Sequence, residues 1–370
     1  MPNLWPFRPV PTSTEALSWE TQIIKTPTTE RRIALRPARQ SISYSYLLRD
    51  QENAEAEWLI RTYPLEDWWV PLWFEASPAQ AIDPAQTVIE VDTDAHYFAG
   101  GSLVVWASCD AATVCEIDSV APGEVTLSAP VGATYAKAIV MPVRTGWIDG
   151  GLQQSRIRER GITDASVTFQ IRDDDATPET PWDQYLDLDL VTKCGTVEPL
   201  AASVAPVFST IDNGAGPVSL EPLDEFIASR HTMSWRLKSN LWTRRKWLHY
   251  VRGRDRAFWL VDWQRDFTLV NPISAAAITT TVKKIAPVAA DLIGRHILFD
   301  DGTRTVREIT GATDSGTNHI LTIAPIGRII QTTARVGLLR KVRLDSDVIE
   351  FAHSHGFFSA TRIPLVEVPE

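Results

Sequence analysis

The chain has 370 residues, of which 44% are hydrophobic and 22% charged, and a net charge of −10. That composition describes an ordinary globular chain with room for two or three domains, each long enough to bury a core without disulfide or metal staples. No uninterrupted apolar run approaches the ~20 residues of a membrane helix, so no membrane span is predicted, and the acidic balance weighs against sequence-independent coating of nucleic acid.

The first 18 residues hold Pro2, Pro6, Pro9 and Pro11, which forbid regular structure and predict an N-terminal arm over 1–18. The segment lacks the apolar centre of a secretory signal, so synthesis and folding in the cytoplasm are expected. Gln40–Leu48 alternates Ile42, Tyr44, Tyr46 and Leu48 with serines, the period of a half-buried strand. Asp50 can then cap a helix over Gln51–Tyr63 that Pro64 stops, with Ala54, Trp58, Leu59 and Thr62 on one side. Trp69–Phe74 reads as a buried strand. Short strands follow at Thr87–Asp92, Ser102–Ala107, Thr113–Val120 and Val125–Ser128, and Ala165–Ile171 closes the half. Asp173, Asp174, Asp175 and the prolines after them mark a linker or exposed arm over 173–207.

The order then repeats. At a constant offset of 189, Trp19 falls on Phe208, Tyr46 on Trp235, Leu48 on Leu237, Trp58 on Trp247, Leu59 on Leu248 and Trp69 on Phe258, and one residue later Trp73 meets Trp263. Large apolar positions held in order over about 55 residues are the signature of a duplicated core. The second copy has a strand through Met233, Trp235 and Leu237. A helix follows, capped by Ser239 or Asn240 and ended by Gly253, with Leu241, Trp247, Leu248 and Val251 on one side. Phe258–Val261 is the next strand. Short strands come at Ile278–Lys283, His296–Phe299, Val306–Thr310 and Ile320–Ala324, with turns at Asp212-Asn213-Gly214 and Asp300-Asp301-Gly302, and Ala360–Val366 closes the copy. Pro364 should hold that strand at an edge. The expected fold is mainly β with α, in two repeats, 19–172 and 208–370. Each carries an inserted small β-barrel or sandwich, at about 81–147 and 270–342.

Fourteen tryptophans stand out. Each can bury about 150–250 Å², so most belong to cores, and some to surfaces where proteins meet. Cys109, Cys115 and Cys194 have no metal spacing and read as buried free thiols, a Cys109–Cys115 bridge being the alternative that a reducing compartment would oppose. No phosphate loop, zinc pattern or nucleophile elbow is present, so neither a catalytic set nor a cofactor is predicted. His353 and His355 could share a metal with Asp345 or Asp347 on a strand, but without a fixed third ligand they read as surface residues. The acidic run Asp173–Asp175 lacks the ordered oxygens of a calcium loop.

The informative polar feature is a contrast between the helices. Asp50, Glu52, Glu55 and Glu57 against Arg49 and Arg61 give the first a net of −2. Lys238, Arg244, Arg245, Lys246, Arg252, Arg254 and Arg256 against Asp255 give the second +6. Such faces can be merely solvated, can bind nucleic acid with Trp242 and His249 stacking on bases, or can meet each other in a ring whose order the charges fix. The interface candidates are Trp68, Trp242, Arg244, Arg245, Lys246, Glu52, Glu55 and Glu57.

Glu30-Arg-Arg-Ile-Ala-Leu-Arg-Pro-Ala-Arg-Gln-Ser-Ile-Ser-Tyr, followed by a helix and by Trp69-Val-Pro-Leu-Trp-Phe, resembles the tail-tip proteins of long-tailed bacteriophages. These include distal tail proteins, lambda-type minor tail proteins and the tail proteins of gene-transfer agents. The resemblance covers about 19–80 and 208–270 and the closing strands. It implies a tail-tube-like β-sandwich with a flanking helix, and a structural, non-enzymatic ring joining the tail tube to the hub or receptor-binding apparatus. The tandem copy and inserted β-modules depart from a minimal distal tail protein, so stoichiometry does not transfer. Three chains would present six similar faces, a trimer with pseudo-six-fold symmetry, while six chains would form a hexamer. The partners implied are the tail tube protein, the hub and other baseplate proteins, with DNA met only in the lumen. The location implied is the virion tail tip, assembled in the host cytoplasm. A two-domain carbohydrate-binding adhesin, with exposed aromatics stacking on sugars, is the competing expectation.

Overall fold

The computed structural model describes residues 2–369 apart from 27–28, 94–97, 99–100, 158–160, 173–176, 193–200, 205–207, 213, 215–217, 223–226, 239–240, 262–264, 287 and 356–357. Cys194, Trp263, the Asp173–Asp175 run, Asn213 and the expected caps Ser239 and Asn240 lie outside the described residues. Within them the chain is mainly β, with two α-helices. The first half runs β1 (Asn3–Leu4), β2 (Thr12–Lys25), β3 (Glu30–Arg49), α1 (Asp50–Thr62), β4 (Trp68–Pro71), β5 (Ser77–Ala79), β6 (Val88–Glu90), β7 (Ser102–Ser108), β8 (Ala111–Ala121), β9 (Glu124–Leu127), β10 (Ala138–Ile157) and β11 (Ile162–Ile171). The second runs β12 (Gln184–Tyr185), β13 (Leu188–Val191), β14 (Ala201–Val204), β15 (Phe208–Ile211), β16 (Ser219–Pro222), β17 (Ser229–Leu237), α2 (Leu241–Val251) and β18 (Ala257–Leu260). It continues through β19 (Thr279–Lys283), β20 (His296–Asp300), β21 (Arg304–Ser315), β22 (Asn318–Ile323), β23 (Arg335–Leu338), β24 (Arg340–Leu344), β25 (Val348–Ser354) and β26 (Phe358–Glu367).

β2 and β3 pair as an antiparallel hairpin, and alternation along them decides which side chains face inward. Ile42, Tyr44, Tyr46 and Leu48 point inward with serines outward, and β2 presents Ser13, Glu15, Leu17, Trp19 and Thr21 to the same interior. The cross-strand pairs include Ser13 with Tyr44 and Glu15 with Ile42. The N-terminal residues are not a loose arm, and this corrects the expectation from their prolines. β1 lies parallel to β4, and Trp5 and Phe7 are each 1% exposed. Trp5 sits edge-on to Phe7, Tyr46, Trp68 and Phe169 and donates from Nε1 to the Tyr46 hydroxyl at 3.0 Å. Pro6, Pro9 and Pro11 interrupt the ladder between β1 and β2 but do not prevent burial, and buried aromatic area joins the two strand pairings in holding the segment.

One antiparallel succession crosses both halves: β4, β10, β11, β3, β2, β25, β26, β17, β14. Its midpoint is β2, which pairs with β3 on one side and, from Thr12 against Ser354 to Ser18 against Val348, with β25 on the other. β24 joins β26 and β18, and β18 lies parallel to β13. A single hydrophobic core lies beneath, holding Tyr44, Trp68, Val143 and Phe169 of the first half with Trp235, Trp247, Phe258 and Phe351 of the second.

Two further groups of strands close around cores of their own. β6, β9, β8, β7 and the start of β10 enclose Ile89, Leu103, Val105, Val125 and Val140. β19, β22, β21, β20 and β23 enclose Phe267, Ile297, Phe299, Ile309, Leu321 and Val336. The Asp300-Asp301-Gly302 turn joins β20 to β21, with Gly302 at φ 106° and its N–H on the Asp300 carboxylate at 3.1 Å.

Both helices differ from expectation. α1 buries Asn53 and Ala56, with Leu59, Ile60 and Tyr63 partly covered, while Ala54 and Thr62 are exposed and Trp58 is 57% exposed. Arg49, not Asp50, is the N-cap, and Glu52 accepts its backbone N–H at 2.8 Å. Trp247, the residue matched to Trp58, is fully buried. It donates from Nε1 to Asp189 at 2.8 Å and packs against Trp182, Trp235 and Phe258. The two tryptophans therefore occupy unlike environments. Two described parts of the expected linker are structural: residues 177–192 lie against α2, with Leu190, Val191 and Asp189 buried, and Ala201–Val204 form β14 against β17.

Candidate functional site

The residues singled out from sequence separate by burial. Trp68 is 1% exposed in the aromatic cluster around Trp5, so it serves the core and not an outer surface. Arg245 is 1% exposed and Arg244 7%, which corrects their assignment to an external basic face. Arg244 lies over the rings of Trp182 at 4.1 Å and Trp235 at 5.2 Å. A guanidinium is more weakly hydrated than an ammonium and stacks well on aromatic faces, which lets the interior hold it. Lys246 is partly exposed, binds Glu179 at 2.8 Å and lies 5.6 Å from the ring of Trp242, also partly exposed. Of the acidic candidates, Glu52 caps α1 and Glu57 binds Arg156 of β10 at 3.0 Å and Arg61 at 3.2 Å. Glu52 and Glu55 line a cleft of about 450 Å³ with Arg8, Arg49, Cys109 and Asp110.

The basic helix meets acidic partners inside the chain. Arg245 of α2 reaches Glu15 of β2 at 2.8 Å and Glu75, in the turn after β4, at 3.3 Å. Glu15, 0% exposed, also accepts from Gln40 Nε2 at 2.6 Å and meets His353 Nε2 of β25 at 3.1 Å. The other nitrogen of His353 bonds Ser359 Oγ at 2.6 Å, and its ring stacks on Phe74 at 3.9 Å between centroids. Burial pushes the Glu15 carboxyl pKa up, but the Arg245 charge, then the bond to His353, overrides it and holds the pKa at about 2. An unpaired carboxylate in such a place would be strongly unfavourable, so β2 can seat on the second half only where Arg245 and His353 await it.

A second contact lies farther along the same hairpin. Asp347 accepts from the backbone N–H of Thr21 and from Arg254 Nη2 at 2.7 Å, and Arg254 also donates to the Thr21 carbonyl. Burial acts to raise the Asp347 pKa, and the Arg254 bonds lower it further than burial raises it. Gly253, at φ +63°, ends α2 beside Trp19. A Cβ there would fall 2.5 Å from Asp347 Oδ1 and 3.0 Å from Trp19 Cβ. Toward the tip, Glu30 receives Arg343 Nε of β24 at 2.7 Å. Five of the positions making this joint, Glu15, Glu30, Gln40, Glu75 and Arg343, are absent from the sequence-derived set. A signal existed for Glu15, a charge at an inward position in the Ser13, Glu15, Leu17, Trp19 row.

His353 is a buried joint residue, which corrects its reading as a surface residue. His355 bonds Ser13 Oγ at 2.9 Å. Burial, then the nearby His353, lowers the His355 pKa to about 4. Asp345 and Asp347 face arginines instead. Among the described residues no three potential ligands are grouped to hold a metal. Cys109 and Cys115 are free thiols, each with its pKa raised to about 11 by burial, joined at Cys109 by the charges of Glu52, Glu55 and Asp110. A groove of about 570 Å³ crosses β17, β26 and β25. Its aromatics are closed to stacking, Trp235 being 2% exposed and Phe358 lying under Arg236 at 3.7 Å. No helix among the described residues is long and apolar enough to cross a membrane.

No protein-family model matches this chain, and no curated protein matches it significantly.

Proposed function

We propose that the chain is a structural ring component of a long-tailed phage tail tip or baseplate, built from a tandem pair of one β-sandwich-and-helix unit and joining the tail tube to the hub or receptor-binding apparatus. The observation that carries the reading is a repeated order of pairings. β2–β3, β3–β11, β4–β10 and parallel β1–β4 have counterparts in β14–β17, β17–β26, β18–β24 and parallel β13–β18. The smaller groups repeat as well, β6-β9-β8-β7-β10 beside β19-β22-β21-β20-β23. Duplicated units joined head to tail are the material of rings, because a contact between unlike faces propagates until it closes. The unlike environments of Trp58 and Trp247 limit the repeat to the strands and the helix position.

In this reading the chain is not an enzyme, acts as a homo-oligomer, a trimer with pseudo-six-fold symmetry or a hexamer, and resides at the virion tail tip. The adhesin reading needs aromatics along an open groove, and the groove over β17 and β26 does not supply them. The test is immunogold electron microscopy of particles made with the gene in its native context. Label at the distal end of the tail supports the proposal, and particles free of label overturn it.

A further inference from the structure

The joint in the middle of the strand succession uses two edges, and each has a counterpart elsewhere, in the second part of β10 and in β14, that no further strand covers among the described residues. In the middle, the free side of the β2–β3 hairpin meets the free side of β25. The counterpart of β25 is the second part of β10. Following the ladders, Phe351 pairs with Thr361, which pairs with Trp235, while Gln154 pairs with Ala165, which pairs with Tyr46. Trp235 and Tyr46 are the matched positions of the two halves, so Gln154 stands where Phe351 stands and, by the same route, Arg156 stands where His353 stands. Beyond Gly146, where β4 stops, this part of β10 pairs with β11 alone among the described residues. The counterpart of β2 is β14. Glu15 pairs with Ile42 and Ala202 with His231, again matched positions. β14 pairs with β17 alone among the described residues.

Exposure follows the same division. The inward row of β2, Glu15, Leu17 and Trp19, is buried by the second half, while on β14 Ala202 is exposed and Val204 is 69% exposed. The hairpin continues through β15 and β16 with Ile211, Val218 and Leu220 at 41%, 53% and 60% exposed. On the first half, Gln153–Arg156 are exposed, and Leu65, at the position of Arg254, is 94% exposed. A run of apolar side chains on a hairpin with an open edge is a surface that proteins normally cover.

We propose that β14 and the hairpin β15–β16 of one copy dock on the first half of a second copy, β14 adding antiparallel along Gln153–Ile157 of β10. The contact is the intermolecular version of the β2–β25 joint. It rests on the duplication reading and gives the ring its joint, a heterologous contact in which each copy donates β14 and offers β10.

The test uses the full chain. Ala202→Cys with Gln154→Cys places a thiol on each facing strand, and the double variant should form disulfide-linked oligomers under mild oxidation while each single variant does not. Val204→Glu and Leu220→Glu should abolish the oligomer seen by mass photometry while leaving far-ultraviolet circular dichroism unchanged, and Val288→Glu, on an exposed apolar residue elsewhere, should leave it intact. An oligomer that persists in Val204→Glu and Leu220→Glu without cross-linking in the double variant overturns the joint and leaves the ring to another surface. A wild-type chain that stays monomeric at micromolar concentration overturns it outright. Cross-linking in a protein absent from tail tips keeps the joint and removes the tail-tip assignment.

Discussion

Arg245 joins the two halves of the chain through a buried ion cluster. Its side chain lies buried between Glu15 and Glu75, two carboxylates of the other half. Deleting one member of a buried ion cluster strands the remaining charges and typically costs about 3–5 kcal/mol. Arg245→Met is accordingly expected to lower the unfolding free energy obtained from urea titration by that order, far more than Arg61→Met, whose partner Glu57 is held on the surface. The same cluster sets an acid limit. With its pKa held at about 2 against 4.5 unfolded, Glu15 favours folding when ionised, so its contribution is complete above about pH 4.5 and is lost as pH falls toward 2. His355, lowered from 6.5 to about 4, favours folding when neutral, and stability begins to fall below pH 6.5. The melting temperature should therefore decline from about pH 6.5 downward, and His355→Gln should flatten the part between 6.5 and 4. A wild-type profile flat over that interval would refute the assignment. At Gly253 the constraint is steric: Gly253→Ala forces a left-handed backbone on alanine and drives its Cβ into Asp347 and Trp19. A loss of about 1–3 kcal/mol is expected in chemical denaturation.

At the scale of elements, the two helices show how far a periodic pattern can guide. Apolar residues lie nearly all round α1, at Ala54, Ala56, Trp58, Leu59 and Ile60, so the pattern leaves its rotation open. Contacts fix it: Glu57 reaches Arg156 on β10, and Asn53 turns inward to bond Glu57. In α2 the outer side is roofed by residues 177–192, whose Trp182 and Asp189 cover Trp247. Trp182→Ala should expose that indole, raising acrylamide quenching of tryptophan fluorescence and lowering stability by about 1–3 kcal/mol. Unchanged quenching would mean that the segment is not the roof. Charge counting saw the basic character of α2 but not its use, because the partners Glu15 and Glu75 lie 230 and 170 residues away in sequence from Arg245.

For the whole molecule, the determining event is the meeting of β2 with β25, which turns two sets of strands into one succession over one core. The sequence by itself determined the β character, the positions of strands such as Gln40–Leu48 and His296–Phe299, and the presence of a helix after each of the strands β3 and β17, because periodicity acts within a few residues. Its large apolar positions also recur at an offset of 189, the pattern on which the proposed duplication rests. Tertiary structure alone decided that the N-terminal segment belongs to the core, that Arg244 and Arg245 are interior, and that His353 holds a carboxylate. The physical reason is separation: Glu15 and His353 are 338 residues apart in the chain. No local pattern records which distant strand will lie beside β2, and a charge is assigned to solvent or to the interior only when that neighbour arrives.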